Sequence, residues 1–259
     1  MADDVIKQLC GDGLSANAIS RVIGCSRRTV DRAILRLGIE RDARSLIAKY
    51  KVDTEFFASI DNECKAYWLG FLLADGSLVR RNDHGVQLRI LSVALSPKDI
   101  DHLELFRCHI GAEQPIRRYN GVYEYVKLSI CCQVLARDLI HHGWDEFKLN
   151  GKWPKIDKNL DRHVLRGLFD GDGWISRSIN NGHARPEVGL CCPHREPLIK
   201  ALDILGITAN IITDMHDNST KILWKWRKSG RTCLDIYHVL YDNSTVWLPR
   251  KRAYLELML

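Results

Sequence analysis

Residues 68–76 read WLGFLLADG, and residues 165–173 read LRGLFDGDG. Each is an apolar run with small residues four apart, Gly70 and Ala74 in the first and Gly167 and Gly171 in the second, and each closes on Asp-Gly. Residues at i and i+4 share a helix face, and small ones there let two backbones approach closely. The pair predicts two helices packed on those faces, with Asp75 and Asp172 side by side at the same end. Gly76 and Gly173 then suit the left-handed position that commonly ends a helix.

Two carboxylates placed this way need compensation. Each lies at a helix C-terminus, where the dipole disfavours negative charge. Neighbouring carboxylates also raise one another's pKa unless a cation sits between them. A divalent metal resolves both problems, and paired carboxylates holding metal suggest phosphoryl-transfer chemistry.

The segments after each motif follow one order. After the first come a turn-rich stretch, the strand VQLRILSVAL, a helix over Pro97–Gly111, strands over Pro115–Asn120 and Val122–Ile130 around the hairpin signal Asn120-Gly121, and a closing helix over Cys131–His142. After the second come strands Trp174–Ile179 and Glu187–Cys191 around Asn180-Asn181-Gly182, a helix His194–Leu205, strands Ile211–Met215 and Lys221–Lys228 around Asp217-Asn218, and a closing segment Thr232–Tyr241. Order and spacing together indicate an internal duplication. Period-two alternation turns Val126, Leu128 and Ile130, and Ile222, Trp224 and Trp226, toward the core. Tyr123, Tyr125, Lys127 and Ser129, and Lys221, Leu223, Lys225 and Arg227, fall on the opposite faces. An antiparallel sheet with a polar, basic face can lie in a DNA major groove. Arg80, Arg81, Gln87, Arg89, Arg117, Arg118, Tyr119, Arg177 and Arg185 are further candidates for that surface.

The two motif segments resemble the paired motifs of the LAGLIDADG homing endonucleases in their single-chain, two-repeat form, over roughly residues 60–250. The resemblance implies an α+β fold of two pseudo-symmetric αββαββα repeats forming a saddle. It implies site-specific cleavage of both strands of a long, non-palindromic duplex target by a monomer, leaving short 3′ overhangs. Asp75 and Asp172 would hold the metal, usually Mg²⁺ with Mn²⁺ as an alternative, and the carbonyls of Ala74 and Gly171 would be extra ligands. A lysine often assists each site in the family, and strand face selects Lys127 and Lys225. Leu73 departs from the family pattern where Asp170 keeps an acid, but both acids before the final Gly are intact. Two rival readings on the same resemblance are a non-catalytic DNA-binding regulator, which loss of an acid would favour, and an RNA maturase for a host intron.

A separate unit precedes the repeats. Asp3–Cys10 can form one helix, Ser15 can cap a second that stops at Gly24, and Ser26 can cap a third running Arg27–Leu37 and stopping at Gly38. Ile19, Val22, Ile23, Val30, Ile34 and Leu37 recur at helical spacing. The pattern resembles the helix-turn-helix of bacterial regulators and recombinases. Arg27, Arg28, Thr29 and Arg32 lie at or near the start of the third helix, where a recognition helix meets base edges. Over residues 21–44 seven arginines, including Arg41 and Arg44, oppose Asp31, Glu40 and Asp42, which concentrates basic charge there. The expected organisation is a helix-turn-helix over 1–45, a linker over 46–60, a first repeat over 61–143, a second linker over 144–159, and a second repeat with a tail over 160–259.

Composition fits this reading. Hydrophobic residues at 46% and charged residues at 27% describe a globular protein. A net charge of +6 suits a polyanionic partner. Nine cysteines without a CxxC pair argue for thiols in a reducing, intracellular compartment rather than a zinc site. The sequence has no signal peptide and no apolar run long enough to span a membrane, so neither secretion nor a membrane partner is expected.

Overall fold

A computed structural model describes residues 2–11, 14, 16–39, 50–83, 86–180, 183–215 and 222–258, with side chains for all of these except 2, 81–83, 86–88, 178–180, 183–184 and 214–215. The expected cap at Ser15, the turn residues at 181–182 and 217–218, and Arg41, Arg44 and Lys221 lie outside the described residues.

The front unit comprises α1 (Ala2–Gly11), α2 (Ala16–Ile23) and α3 (Arg27–Arg36). Ile6, Ala16, Ile19, Val30, Ala33 and Ile34 close into a core of their own, distinct from that of the rest of the chain. Gly24, at φ 75°, makes the turn between α2 and α3. There a β-carbon would be strained, so glycine is favoured. Ser26 caps α3, its Oγ accepting from the Thr29 amide at 3.1 Å. Val22 does not join the core as its spacing suggested and is 64% exposed. In this short helix Ile19 and Ile23, four apart, take the buried face.

The first repeat runs α4 (Glu63–Asp75), β1 (Gly76–Asp83), β2 (Val86–Leu95), α5 (Ile100–His109), β3 (Arg117–Tyr119), β4 (Tyr125–Cys131), α6 (Gln133–His141) and α7 (Trp144–Asn150). The second runs α8 (Asp161–Asp172), β5 (Gly173–Asn180), β6 (His183–Cys192), α9 (Glu196–Leu205), β7 (Ile212–Met215), β8 (Ile222–Ser229), α10 (Thr232–Tyr241) and α11 (Pro249–Glu256). Each repeat has one antiparallel sheet, in the orders β1-β2-β4-β3 and β5-β6-β8-β7. The strand orders are the same, so the duplication inferred from element order extends to topology.

Three local expectations change. The stretch after the first motif is a strand from Gly76 onward, not a turn-rich segment. Strand β4 begins at Tyr125, so Asn120-Gly121 sits in a longer loop rather than forming a two-residue hairpin turn. Residues 144–159 are more than a linker, because α7 occupies their first half.

Helices α4 and α8 lie at the middle of the main core. Ala66 through Leu73 are buried on every side, as expected for a helix apolar all round. The two backbones meet through glycine. A β-carbon on Gly70 would stand 2.0 Å from the Val164 carbonyl oxygen, and one on Gly167 would stand 2.0 Å from the Tyr67 carbonyl oxygen. Each glycine thus meets the residue three positions before its counterpart, the signature of a two-fold relation between the helices. At the acidic end a β-carbon on Gly171 would lie 2.3 Å from the Ala74 β-carbon. One of these two positions must be glycine.

Gly76 and Gly173 are not left-handed. Both are extended, at φ −80° ψ 153° and φ −75° ψ 157°, and each starts a strand directly from the helix end. Glycine is needed there for space. A β-carbon at Gly76 would lie 2.5 Å from the Leu72 carbonyl oxygen, and one at Gly173 would lie 2.5 Å from that of Phe169.

Candidate functional site

The packed glycines bring the last turns of α4 and α8 together and set Asp75 beside Asp172. Asp75 Oδ2 lies 3.3 Å from the place a Gly171 β-carbon would take, so this carboxylate leans over the partner helix. Asp75 is reachable by solvent, yet protein surrounds it closely. Burial raises its pKa, against the pull of Lys251 and Lys148. Asp172 is pushed up to about 6, by burial first and by the Asp75 charge second. The pair is therefore a site where buried negative charge is only partly offset by neighbouring lysines.

Two lysines stand at the same helix ends. Lys148, from α7, donates to the Ala74 carbonyl at 3.1 Å. Lys251, from α11, donates to the carbonyls of Phe169 at 2.8 Å, Gly171 at 3.2 Å and Gly173. Both ammonium groups satisfy carbonyls left open where a helix ends. Burial lowers the pKa of Lys148, opposed by Asp172 and then Asp75. Burial brings that of Lys251 down to about 8, opposed first by Asp170. Two cavities open at these helix ends. One, of about 280 Å³, is lined by Asp172, Lys148, Ala74 and Cys191, and the other, of about 500 Å³, by Gly171, Lys251, Trp174 and Arg250.

A hard divalent cation fits this donor set. The groups that converge are carboxylate and carbonyl oxygens, the ligands such cations prefer. The carbonyls of Ala74 and Gly171 each accept from a lysine and keep a second lone pair. Among the described residues no group of three or more His, Cys, Asp or Glu side chains could hold a metal.

Asp170, two residues before Asp172, serves a different purpose. It is 1% exposed and accepts from Tyr67 Oη at 2.9 Å, Tyr241 Oη at 2.7 Å and the Leu248 amide at 2.7 Å. It ties α8 to α4 and to the segment leading into α11.

No protein-family model and no curated protein matches the chain. Solved structures do. The LAGLIDADG meganuclease I-AabMI bound to uncleaved DNA aligns at a TM-score of 0.54 with 13% identity, over 76% of this chain and 88% of that one. The I-LtrWI LAGLIDADG homing endonuclease bound to target DNA aligns at 0.53 with 14% identity, over 79% and 89%. The homing endonuclease I-DmoI, in mesophilic variants, aligns at 0.52 with 15% identity, over 79% and 99%. The chain has the LAGLIDADG homing endonuclease fold.

Within that fold, strand register sorts the other candidates. Leu78 pairs with Leu91, and Val126 and Leu128 share their face, so the opposite face of the first sheet carries Ser77, Ser92, Ser129, Lys127, Tyr125, Arg117 and Tyr119. Tyr119 and Tyr125 stack at 4.8 Å. Arg80 pairs with Arg89 on the helix side, and Arg89 approaches Asp145 of α7 at 3.8 Å. Arg118, opposite Val126, is on that side too. In the second sheet Arg185, Lys225 and Arg227 share the outward face, and Arg177 falls on the parity of Ile175, toward the helices. Arg80, Arg89, Arg118 and Arg177 therefore leave the proposed reading surface. They were chosen by charge, and the two-residue period decides against them. The side chains of Arg81 and Gln87 lie outside the description.

The outward face also shows what sequence reasoning missed. Trp174 packs against Gly189, where a β-carbon would come within 2.2 Å of the ring. Ile222, expected in the core, is 50% exposed at the end of its strand, whereas Trp226 is fully buried. Lys127 and Lys225 take matching places, opposite Ala94 and Cys191. The lysine charges that pull on the acid pair are those of Lys148 and Lys251. Each of these lies in a short helix following the closing helix of its repeat, and that shared position was the available signal. No disulfide joins the cysteines among the described residues, and no helix there is long and apolar enough to cross a membrane.

Proposed function

We propose that the chain is a site-specific, metal-dependent endonuclease acting on both strands of duplex DNA. The observation that carries this reading is the pair Asp75 and Asp172, brought together by glycine packing and left with raised pKa values. Asp75 and Asp172, with the carbonyls of Ala74 and Gly171, would hold Mg²⁺ or Mn²⁺. When bound, the cation polarises the scissile phosphate and lowers the pKa of attacking water. Lys148 and Lys251 place positive charge beside each acid, where a phosphate carries negative charge into the site. The outward sheet faces, with Lys127, Arg117, Tyr119 and Tyr125 in one repeat and Arg185, Lys225 and Arg227 in the other, contact the groove and the backbone. Since both acids belong to one chain, the active species is a monomer. The unlike halves suit a long, non-palindromic target cut to short 3′ overhangs. Retention of both acids favours this over a regulator built on the same fold.

The test is cleavage of a duplex selected for binding. With Mg²⁺ the chain should convert plasmid bearing that target to linear product, and chelation should stop it. Asp75→Asn and Asp172→Asn should each lower double-strand cleavage by about a thousand-fold or more while leaving binding within a few-fold. Full cleavage by either variant would overturn the assignment.

A further inference from the structure

The two lysines at the acid pair are held in place by unequal means. Each sits on a short helix that touches the other repeat. Helix α7 belongs to the first repeat, and His194, just before α9 in the second, donates from Nε2 to the Lys148 carbonyl at 3.3 Å. Helix α11 belongs to the second repeat, and Arg250 donates from Nε to both carboxylate oxygens of Asp99, just before α5 in the first, at 2.7 and 3.0 Å. Asp99 is 7% exposed. A hydrogen bond between two charged groups is roughly twice as strong as a neutral one, and 3.3 Å is long for the neutral bond at His194. Phe147 precedes Lys148 as Arg250 precedes Lys251. That phenylalanine is buried and apolar, so no ion pair can form from its position.

The lysines also divide between the acids. Lys251 donates to the Gly171 carbonyl, over which the Asp75 carboxylate leans, and of the two lysines it acts the more strongly on Asp75. Lys148 donates to the Ala74 carbonyl and acts the more strongly on Asp172. Each half of the pair thus joins an acid of one repeat to a carbonyl of the other. A lysine stem is flexible, and burial works against its charge. Helix α11 has eight residues, too few to be stable by itself. The place of Lys251 must therefore be imposed by what grips α11 at its start. Asp170 does so through the Leu248 amide, and Asp99 through Arg250.

We propose that Asp99 is a positioning residue: through Arg250 it fixes Lys251 beside Asp75 and the Gly171 carbonyl, and so sets the rate at one of the two DNA strands only. The proposal rests on the reading of the chain as a DNA endonuclease. It adds to one half of the centre a residue from the opposite repeat that touches neither substrate nor metal.

Cleavage of a duplex selected for binding, end-labelled on each strand in turn, tests this. With Mg²⁺, Asp99→Ala should slow one strand on the order of 10- to 100-fold, leave the other strand and duplex affinity unchanged, and let nicked plasmid accumulate. The slowed strand should be the one that Lys251→Met slows, not the one that Lys148→Met slows. Asp99→Glu, which returns a carboxylate to Arg250, should recover most of the rate. Asp99→Ala with Arg250→Ala should be no slower than Arg250→Ala alone, because the first acts through the second. If Asp99→Ala shows no melting transition, Asp99→Asn, which keeps the shape and removes the charge, carries the same expectations. Equal slowing of both strands, slowing of the Lys148 strand, or effects that multiply in the double variant overturn the proposal. A second readout needs no cleavage. Lys251 is 6% exposed, so acylation of amines followed by mass spectrometry should find it protected. Asp99→Ala should raise its labelling about ten-fold and leave that of Lys148 unchanged; unchanged protection of Lys251 overturns the proposal. Labelling that responds as stated, with neither strand cut by the unaltered chain, supports the brace and overturns the endonuclease reading instead.

Discussion

The two motif helices do the same work with different chemistry. Helix α4 is apolar from Ala66 to Leu73 and enters the interface as a plain hydrophobic rod. Helix α8 buries two charges at the matching level. Arg166 is fully buried, bonded to Glu63 at 2.5 Å and to the carbonyls of Val246 at 2.9 Å and Leu240 at 3.1 Å, where α4 has Leu69. Asp170, with its three donors, stands where α4 has Leu73. The lysines differ in the same sense, Lys251 reaching three carbonyls and Lys148 one. A two-fold arrangement of backbone can thus be held by apolar contact in one half and by a satisfied polar network in the other. The polar half is the less forgiving, since a buried donor or acceptor left unpaired costs about 1–3 kcal/mol.

The largest expected effect follows from that asymmetry. Asp170→Leu, which copies the first half into the second, should cost about 3–5 kcal/mol, because Tyr67, Tyr241 and the Leu248 amide lose their acceptor together. Leu73→Met at the corresponding place should cost under about 1.5 kcal/mol. Urea titration measures both, and similar costs would erase the contrast. Next come the glycines, where the halves should agree. Gly70→Ala and Gly167→Ala should each cost about 3 kcal/mol, since each meets a backbone carbonyl 2.0 Å away. Gly206→Ala, left-handed but in open space, should cost about 1 kcal/mol. A mild effect at either interface glycine would mean that the helices can part more easily than their packing implies.

The lysines sharpen the comparison further. Both Lys148→Met and Lys251→Met should slow cleavage, but only the second should also cost about 1–3 kcal/mol of stability, by stranding buried carbonyls. Equal melting temperatures for the two variants would show the halves to be energetically alike. The smallest effect concerns pH. Asp172 has a raised pKa of about 6 in the fold, so the folded chain holds that proton more tightly than the unfolded chain. Without metal, stability should rise as pH falls from 7 through about 6 toward 4, and be lost as pH rises through 6. Saturating Mg²⁺ should stabilise the chain at pH 7 and blunt this dependence. Melting curves at several pH values, with and without Mg²⁺, distinguish the two conditions. A flat metal-free profile would mean that neither burial nor the Asp75 charge raises the Asp172 pKa in the fold.

The motif helices, the order of elements, the core face of β4 and the place of Trp226 on β8 were legible because hydrophobic period and small-residue spacing are local signals. The central acids were legible for the same reason, since they end those helices. What sequence left dark depends on distant packing. Lys148 and Lys251 carry no motif, and only the folding of α7 and α11 back onto the helix ends brings them to the acids. The parity of Arg80 and Arg89 required the pairing of Leu78 with Leu91 to be known first. Gly76 and Gly173 were chosen correctly as special positions for the wrong reason, because crowding and left-handed geometry select the same residue. Arg166 reads as an ordinary polar residue, and Asp170 only as the acid of the family pattern, until partners 71 to 103 positions away are in place.

The acid pair is also a matter of timing. Its parts come from α4, α7, α8 and α11, so a chain emerging from the ribosome carries Asp75 long before it carries Asp172, and lacks Lys251 until later still. Contacts of such long sequence separation form late in folding. During synthesis the first repeat alone offers one carboxylate and no pair. Under the proposed endonuclease function, the first sheet is complete before any centre able to cut exists, so attachment would precede cutting competence in the life of each molecule.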